Sequence, residues 1–137
     1  MPTFAHGKVA VFKVADNSAT LRDISNVVNA SGLARSVDAA EVTTFGLGDK
    51  AYIAGLRDAT IPIEGLADTT VDGYLAGILG WATAVAWELY PMGSATGFPK
   101  YAGSAILTRY ESRPDVSDAV KITGELQNSG TITRTVL

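Results

Sequence analysis

A chain of 137 residues has the size of one domain, and its net charge of −3, with 11 Lys and Arg scattered singly, excludes the dense basic face that nucleic-acid binding needs. The absence of cysteine excludes disulfides, thiolate catalysis and Cys-ligated zinc. Charged residues are 18% against 47% hydrophobic, which implies either a well-buried core or a surface partly covered by partners.

The N-terminus, MPTFAHGKVAVFKVADN, has no long apolar core, so no secretory signal is read there, and about residues 1–6 are expected to be mobile. Lys8 to Val14 (KVAVFKV) is rich in β-branched and aromatic residues and predicts a strand. Asp16-Asn17-Ser18 is turn chemistry, and Leu21 to Ser25 predicts a short second strand. Within Val27 to Asp38 the run SGLARSVD alternates, with Leu33, Arg35 and Val37 on one face, and predicts another. From Glu41 to Leu56 there is no regular period, yet Phe45, Tyr52, Ile53 and Leu56 stand there. This segment is expected to be a projecting loop, of the kind that covers a site or adheres to something. Asp58 to Gly65 alternates, with Ala59, Ile61 and Ile63 against Thr60, Pro62 and Glu64. Pro62 cannot donate to a ladder, which places this strand at an edge or puts a bulge in it.

Asp68-Thr69-Thr70 supplies a helix cap, and Val71, Tyr74, Leu75, Ile78 and Leu79 then recur as the stripe of an amphipathic helix ending at Gly80. Gly73 and Gly77 within it are read as close packing against a sheet. From Trp81 the period becomes two, with Val85, Trp87 and Leu89 on one face, and Pro91 ends the strand. The longest uncharged run, Gly73 to Trp87, is too short for a membrane span. Met92 to Gly103 reads as a long turn, Ser104 to Glu111 as a strand, Arg113-Pro114-Asp115 as a turn, and Ala119 to Gln127 as a strand with Val120, Ile122 and Leu126 inward. Thr131 to Val136 predicts a last strand. The fold class is α+β, mainly β: a β-sandwich or partly open barrel of about seven or eight strands with one flanking helix, in a single domain over residues 1–137.

Chemistry is hard to place on this chain. His6 is the only histidine, so neither a His-rich metal site nor a well-marked catalytic triad is available. GLGDK, from Gly46 to Lys50, lacks the ending of a phosphate loop. Glu64 and Asp68 are the nearest approach to a carboxylate pair, and Asp68 is already assigned as a cap. Trp81, Trp87, Tyr90 and Tyr101 could form a sugar-stacking platform, although Trp87 sits on an apolar face. No catalytic, cofactor-binding or metal-binding residue is assigned, and no enzyme activity is expected. A carbohydrate- or receptor-binding module, with the tryptophans and the 91–103 loop as its site, stands as the alternative. What remains is many strands, few charges and sticky edges, a surface suited to self-association.

Three segments resemble the major tail tube proteins of long-tailed (siphovirus-type) bacteriophages: EVTTFGLGDKAYIAGLRDATIPIEG (Glu41 to Gly65), YPMGSATGFPKYAGSAILTRYES (Tyr90 to Ser112) and GELQNSGTITR (Gly124 to Arg134). Ala54 stands where the family often has Pro, and Pro62 interrupts a strand that is usually unbroken. The resemblance implies a structural virion protein, assembled in the host cytoplasm, whose hexameric rings stack into the tail tube through which DNA is ejected. It implies partners as well: further copies of itself, a tape-measure protein, a tail terminator, and baseplate or tail-tip proteins. DNA would pass without specific binding, and no membrane is involved. A tail terminator or neck protein of related fold is the nearer alternative. Under this resemblance the apolar segment is a stacking loop between rings, with Thr43, Thr44, Phe45, Gly46, Asp49, Tyr52, Ile53, Leu56, Arg57 and Asp58 as its self-assembly residues.

Overall fold

The computed structural model describes residues 4–46, 48–81 and 83–137, so half of the N-terminal segment expected to be mobile, residues 1–3, lies outside the described residues. Among the described residues there are nine strands and one α-helix. They follow the order β1 (Val11–Ala15), β2 (Leu21–Asp23), β3 (Val28–Ser31), β4 (Ala34–Glu41), β5 (Tyr52–Leu66), α1 (Thr69–Ile78), β6 (Val85–Tyr90), β7 (Pro99–Asp115), β8 (Asp118–Asn128) and β9 (Thr133–Val136). All paired strands are antiparallel, in the order β2-β1-β6-β7-β8-β5-β3. Strand β4 takes over from β3 along β5, and β9 takes over from β8 along β7. The sheet does not close into a barrel.

The alternating residues explain how the sheet wraps its core. Ala59, Ile61 and Ile63 of β5, Val85, Trp87 and Leu89 of β6, and Ile122 and Leu126 of β8 are all buried. Helix α1 closes this core with Val71, Leu75 and Ile78, while Leu79, expected on the same stripe, caps the helix and is exposed. The Asp68 carboxylate accepts from the N–H groups of Thr70 and Val71, which would otherwise be left without partners at the helix start. Trp87 is fully buried, and its indole N–H donates to Asn128 Oδ1 at 3.2 Å.

Several boundaries differ from expectation. The first strand starts at Val11, because Gly7–Val9 form a 3-10 turn capped by His6, whose Nδ1 accepts from the Lys8 N–H. The strand expected within 27–38 is two, β3 and β4, broken at Gly32–Leu33. β7 begins at Pro99, inside the expected long turn, and runs through Arg113-Pro114-Asp115, so the turn falls at Val116-Ser117. Val120 is exposed because it lies near the end of its hairpin. Neither glycine packs against the sheet as expected: Gly77 meets the Asn17 side chain in the β1–β2 turn, and Gly73 faces open space.

Pro62 does not mark an edge. β5 is paired with β8 on one side and with β3 and β4 on the other. The Pro62 carbonyl accepts from the Gly32 N–H, so the side of Pro62 that lacks a donor faces the break between β3 and β4, where no ladder bond is lost.

Candidate self-assembly surface

The last β5 residue paired with β8 is Thr60, opposite Gln127. The Gln127 side-chain amide ends this ladder by donating to the Ala59 carbonyl and to the Asp58 carboxylate. Beyond that point β5 has only β4 beside it. Residues 52–58 of β5 and all of β4 therefore form a two-stranded ribbon, about 23 Å long at the usual strand rise. Every residue of β4, and every residue of β5 from Tyr52 to Asp58, is exposed.

The expected loop from Glu41 to Leu56 is thus mostly hairpin. Glu41 ends β4, and Tyr52, Ile53 and Leu56 belong to β5, leaving residues 42–51 as the connection. Its neck is closed by the Val42 N–H donating to the Ala51 carbonyl at 2.8 Å and by the Ala51 N–H donating to Thr43 Oγ1 at 3.0 Å. Thr44, Phe45, Gly46 and Asp49 lie on the connection, with Phe45 wholly exposed and Gly46 at φ +97°. Arg57 and Asp58 stand at the base. The structure gathers all ten expected assembly residues onto this one hairpin.

Two features of the hairpin escaped the sequence. Cross-strand pairing puts Tyr52 with Glu41 on one face and Ile53 with Ala40 on the other, so both faces carry exposed apolar side chains. A bulge also sets Gly55 and Leu56 of β5 against Asp38 of β4, and Leu56 is 83% exposed there. A Cβ on Gly55 would sit 3.2 Å from Asp38 Cβ, which explains the glycine; an isolated glycine in a strand is itself a bulge signal.

The opposite end of the sheet carries the β7–β8 hairpin. Asp115 and Asp118 face each other across Val116-Ser117, and Val116 is wholly exposed. Both carboxyls are held below their usual range, Asp115 by hydrogen bonds from Ser117 and Asp118 by the Ala119 N–H and Lys121. Elsewhere, burial and a bond to Asp72 push the Tyr110 hydroxyl up to about 12, and burial and a bond to Glu88 push that of Tyr90 to about 12. These are tethers of the helix and of the sheet's outer face.

No group of three or more metal-binding side chains occurs among the described residues, and no helix among them is long and apolar enough to cross a membrane. The four aromatics of the alternative sugar platform do not gather: Trp87 and Tyr90 are buried, while Trp81 is exposed beyond the helix. The free ribbon is the distinctive surface.

The phage tail tube protein family matches residues 5–134. The chain belongs to that family. It is a structural component of the virion tail that assembles with copies of itself into a tube. No curated protein matches the sequence. Among solved structures, the chain is similar to the tail of an empty gene transfer agent particle refined with C6 symmetry, at 15% identity and TM-score 0.82, covering 97% of this chain and 100% of that one. It is also similar to the SPP1 tail tube, at 12% identity and TM-score 0.72, covering 98% and 80%. A third likeness is to the sheath/tube terminator of an extracellular contractile injection system, at 16% identity and TM-score 0.68, covering 99% and 96%. At these identities the likeness is one of fold.

Proposed function

We propose that this chain builds hexameric rings that stack into the tail tube, with the β4–β5 hairpin as the contact between rings. One observation carries the reading: a long ribbon with exposed apolar side chains on both faces has no third strand beside it and is tied to its own chain only at its base. Isolated two-stranded hairpins are marginal in water, so this one is built to be covered. Its Phe45, Tyr52, Ile53 and Leu56 are buried only in the assembly.

Ring closure is assigned to two other edges. The outer edge of β4 has no strand partner among the described residues, nor has the β6-side edge of β7 from Leu107 to Asp115. Across β4-β5-β8-β7 the strand directions alternate. Pairing β4 of one copy with β7 of the next is therefore antiparallel, and six copies close an all-antiparallel barrel. The two edges are offset by about 25 Å along the strands over four lanes of about 4.8 Å, a stagger of the order that tilted barrel strands require. The sheet face away from the core, where Glu64, Glu125 and Glu111 stand with Arg109, Arg113 and Lys121 and both arginines are paired with Glu111, then lines a lumen that DNA crosses without specific binding. The chain has no enzymatic role. Its other partners are a tape-measure protein inside the lumen and terminator and tail-tip proteins at the ends.

Negative-stain microscopy of the concentrated protein, with and without a tail-tip complex as initiator, tests this. Hollow tubes of uniform width with six-fold end views are expected. A chain that stays monomeric even on the initiator contradicts the reading.

A further inference from the structure

Head-to-tail stacking needs two different surfaces at opposite ends of one subunit, and the hairpin is only one of them. The inference below rests on the stacking role proposed for that hairpin. Where β8 leaves β5, a cleft of about 820 Å³ opens between the base of the hairpin and the turn after β8. Val37, Leu56 and Ile132 give it apolar walls, Arg35 and Arg57 bring positive charge, and the one carboxylate in its lining, Asp58, already accepts from Gln127 and the Ala59 N–H. Neither arginine has an ion-pair partner among the described residues, although Arg35 lies over the Tyr101 ring at 5.8 Å, so Arg57 is the freer of the two.

At the far end of the same sheet stands the β7–β8 turn. Its residue Val116 is a poor choice for the turn itself, because tight hairpins favour Asn, Asp or Gly with positive φ. Among the described residues the only non-glycine with positive φ is Ala19, so Val116 serves no such backbone need. It is a β-branched knob presented wholly to solvent between two carboxylates, Asp115 and Asp118. Lys121 lies 3.1 Å from Asp118, but on the flank of the turn and not at its end.

We propose that the Asp115–Asp118 turn of one subunit seats in the cleft between β5 and the β8–β9 turn of a second copy in the next ring, with Val116 against Leu56 and Ile132 and the two carboxylates beside Arg35 and Arg57. An acidic apolar knob meets an apolar cleft of net positive charge, and the two lie at opposite ends of the sheet, as repeated stacking requires. The β4–β5 hairpin then runs past the seated turn along the next subunit. The contact gives the stack its polarity, since two clefts repel each other and so do two turns.

The lack of native cysteine makes a direct test available. Leu56 lies ten residues along β5 from Leu66, whose partner is Lys121 near the turn, so Leu56 and Val116 of one chain are at least about 30 Å apart. A disulfide needs Cα atoms within about 7 Å and can form only between copies. Oxidised tubes of the Leu56→Cys/Val116→Cys protein are expected to give a ladder of covalent multimers on a non-reducing gel, and either single variant no species beyond a dimer. Charge exchange provides a second readout: Arg57→Glu and Asp118→Lys each lower tube yield at least tenfold, and together they restore it to within a few-fold of the unmodified chain. Normal tubes without a ladder, together with the absence of rescue in the exchanged pair, overturn this contact and leave the stacking role of the hairpin standing. Failure of the unmodified chain to form rings or tubes overturns that role, and this contact with it.

Discussion

The two halves of β5 are one continuous strand under opposite conditions. From Thr60 to Gly65 it lies between β8 on one side and β4 and β3 on the other, and the inward residues Ala59, Ile61 and Ile63 are buried in the core that holds Trp87, Leu126 and helix α1. From Tyr52 to Asp58 it has one neighbour, and both of its faces meet solvent. The first half is stabilised within the chain. The second, under the stacking role proposed for it, is stabilised by other chains. On that proposal a single strand joins the folding core to the assembly surface, and order in the hairpin is expected to report on stacking while the core stays indifferent to it.

This contrast is broken most sharply on the hairpin. Phe45→Asp or Leu56→Asp is expected to leave melting temperature and circular dichroism of the monomer unchanged and to abolish tubes in electron micrographs. A mutant that polymerises normally would place the axial contact elsewhere. The converse holds in the core, where Trp87→Ala removes a fully buried ring and the partner of Asn128. Denaturant unfolding should show a loss of about 3–5 kcal/mol, and a loss below about 1 kcal/mol would contradict the packing described.

Smaller changes sharpen the comparison. Asp68→Ala removes the cap of α1 and is expected to cost about 1 kcal/mol in the same assay, with tube formation retained once the protein is folded. The weakest effect is on pH dependence. The Tyr110 hydroxyl, raised from 10.0 to about 12 by burial and by its bond to Asp72, favours the folded state while protonated. Its contribution is complete below about pH 10 and is lost as pH rises towards 12. Tyr110→Phe should therefore flatten the fall in melting temperature over that window; an unchanged slope would show that the tether does not act.

The sequence was legible where burial is one-sided. Ala59, Ile61 and Ile63 alternate because one face of β5 meets the core, and Val71, Leu75 and Ile78 recur at helical spacing for the same reason. Tyr52 to Leu56 carried no period because neither face is buried within the chain, so nothing in the monomer imposes alternation, and Gly55 adds a bulge that would shift it. The segment therefore looked like a loop, although the structure makes most of it a hairpin whose apolar side chains are exposed. Pro62 misled for a different reason: a proline disfavours an interior strand only if its missing donor faces a ladder, and here it faces the gap at Gly32. The β7–β8 turn was misplaced because Arg113-Pro114-Asp115 has turn composition, whereas pairing to β8 continues through it to Asp115.

The most direct test is amide hydrogen exchange measured on the monomer and on assembled tubes. The account predicts that amides of β4 and of residues 52–58 exchange freely in the monomer and become protected by at least a hundredfold in tubes, while those of Ile61 and of residues 63–65 are protected equally in both. Protection of the hairpin already present in the monomer, or a hairpin that still exchanges freely in tubes, would contradict it.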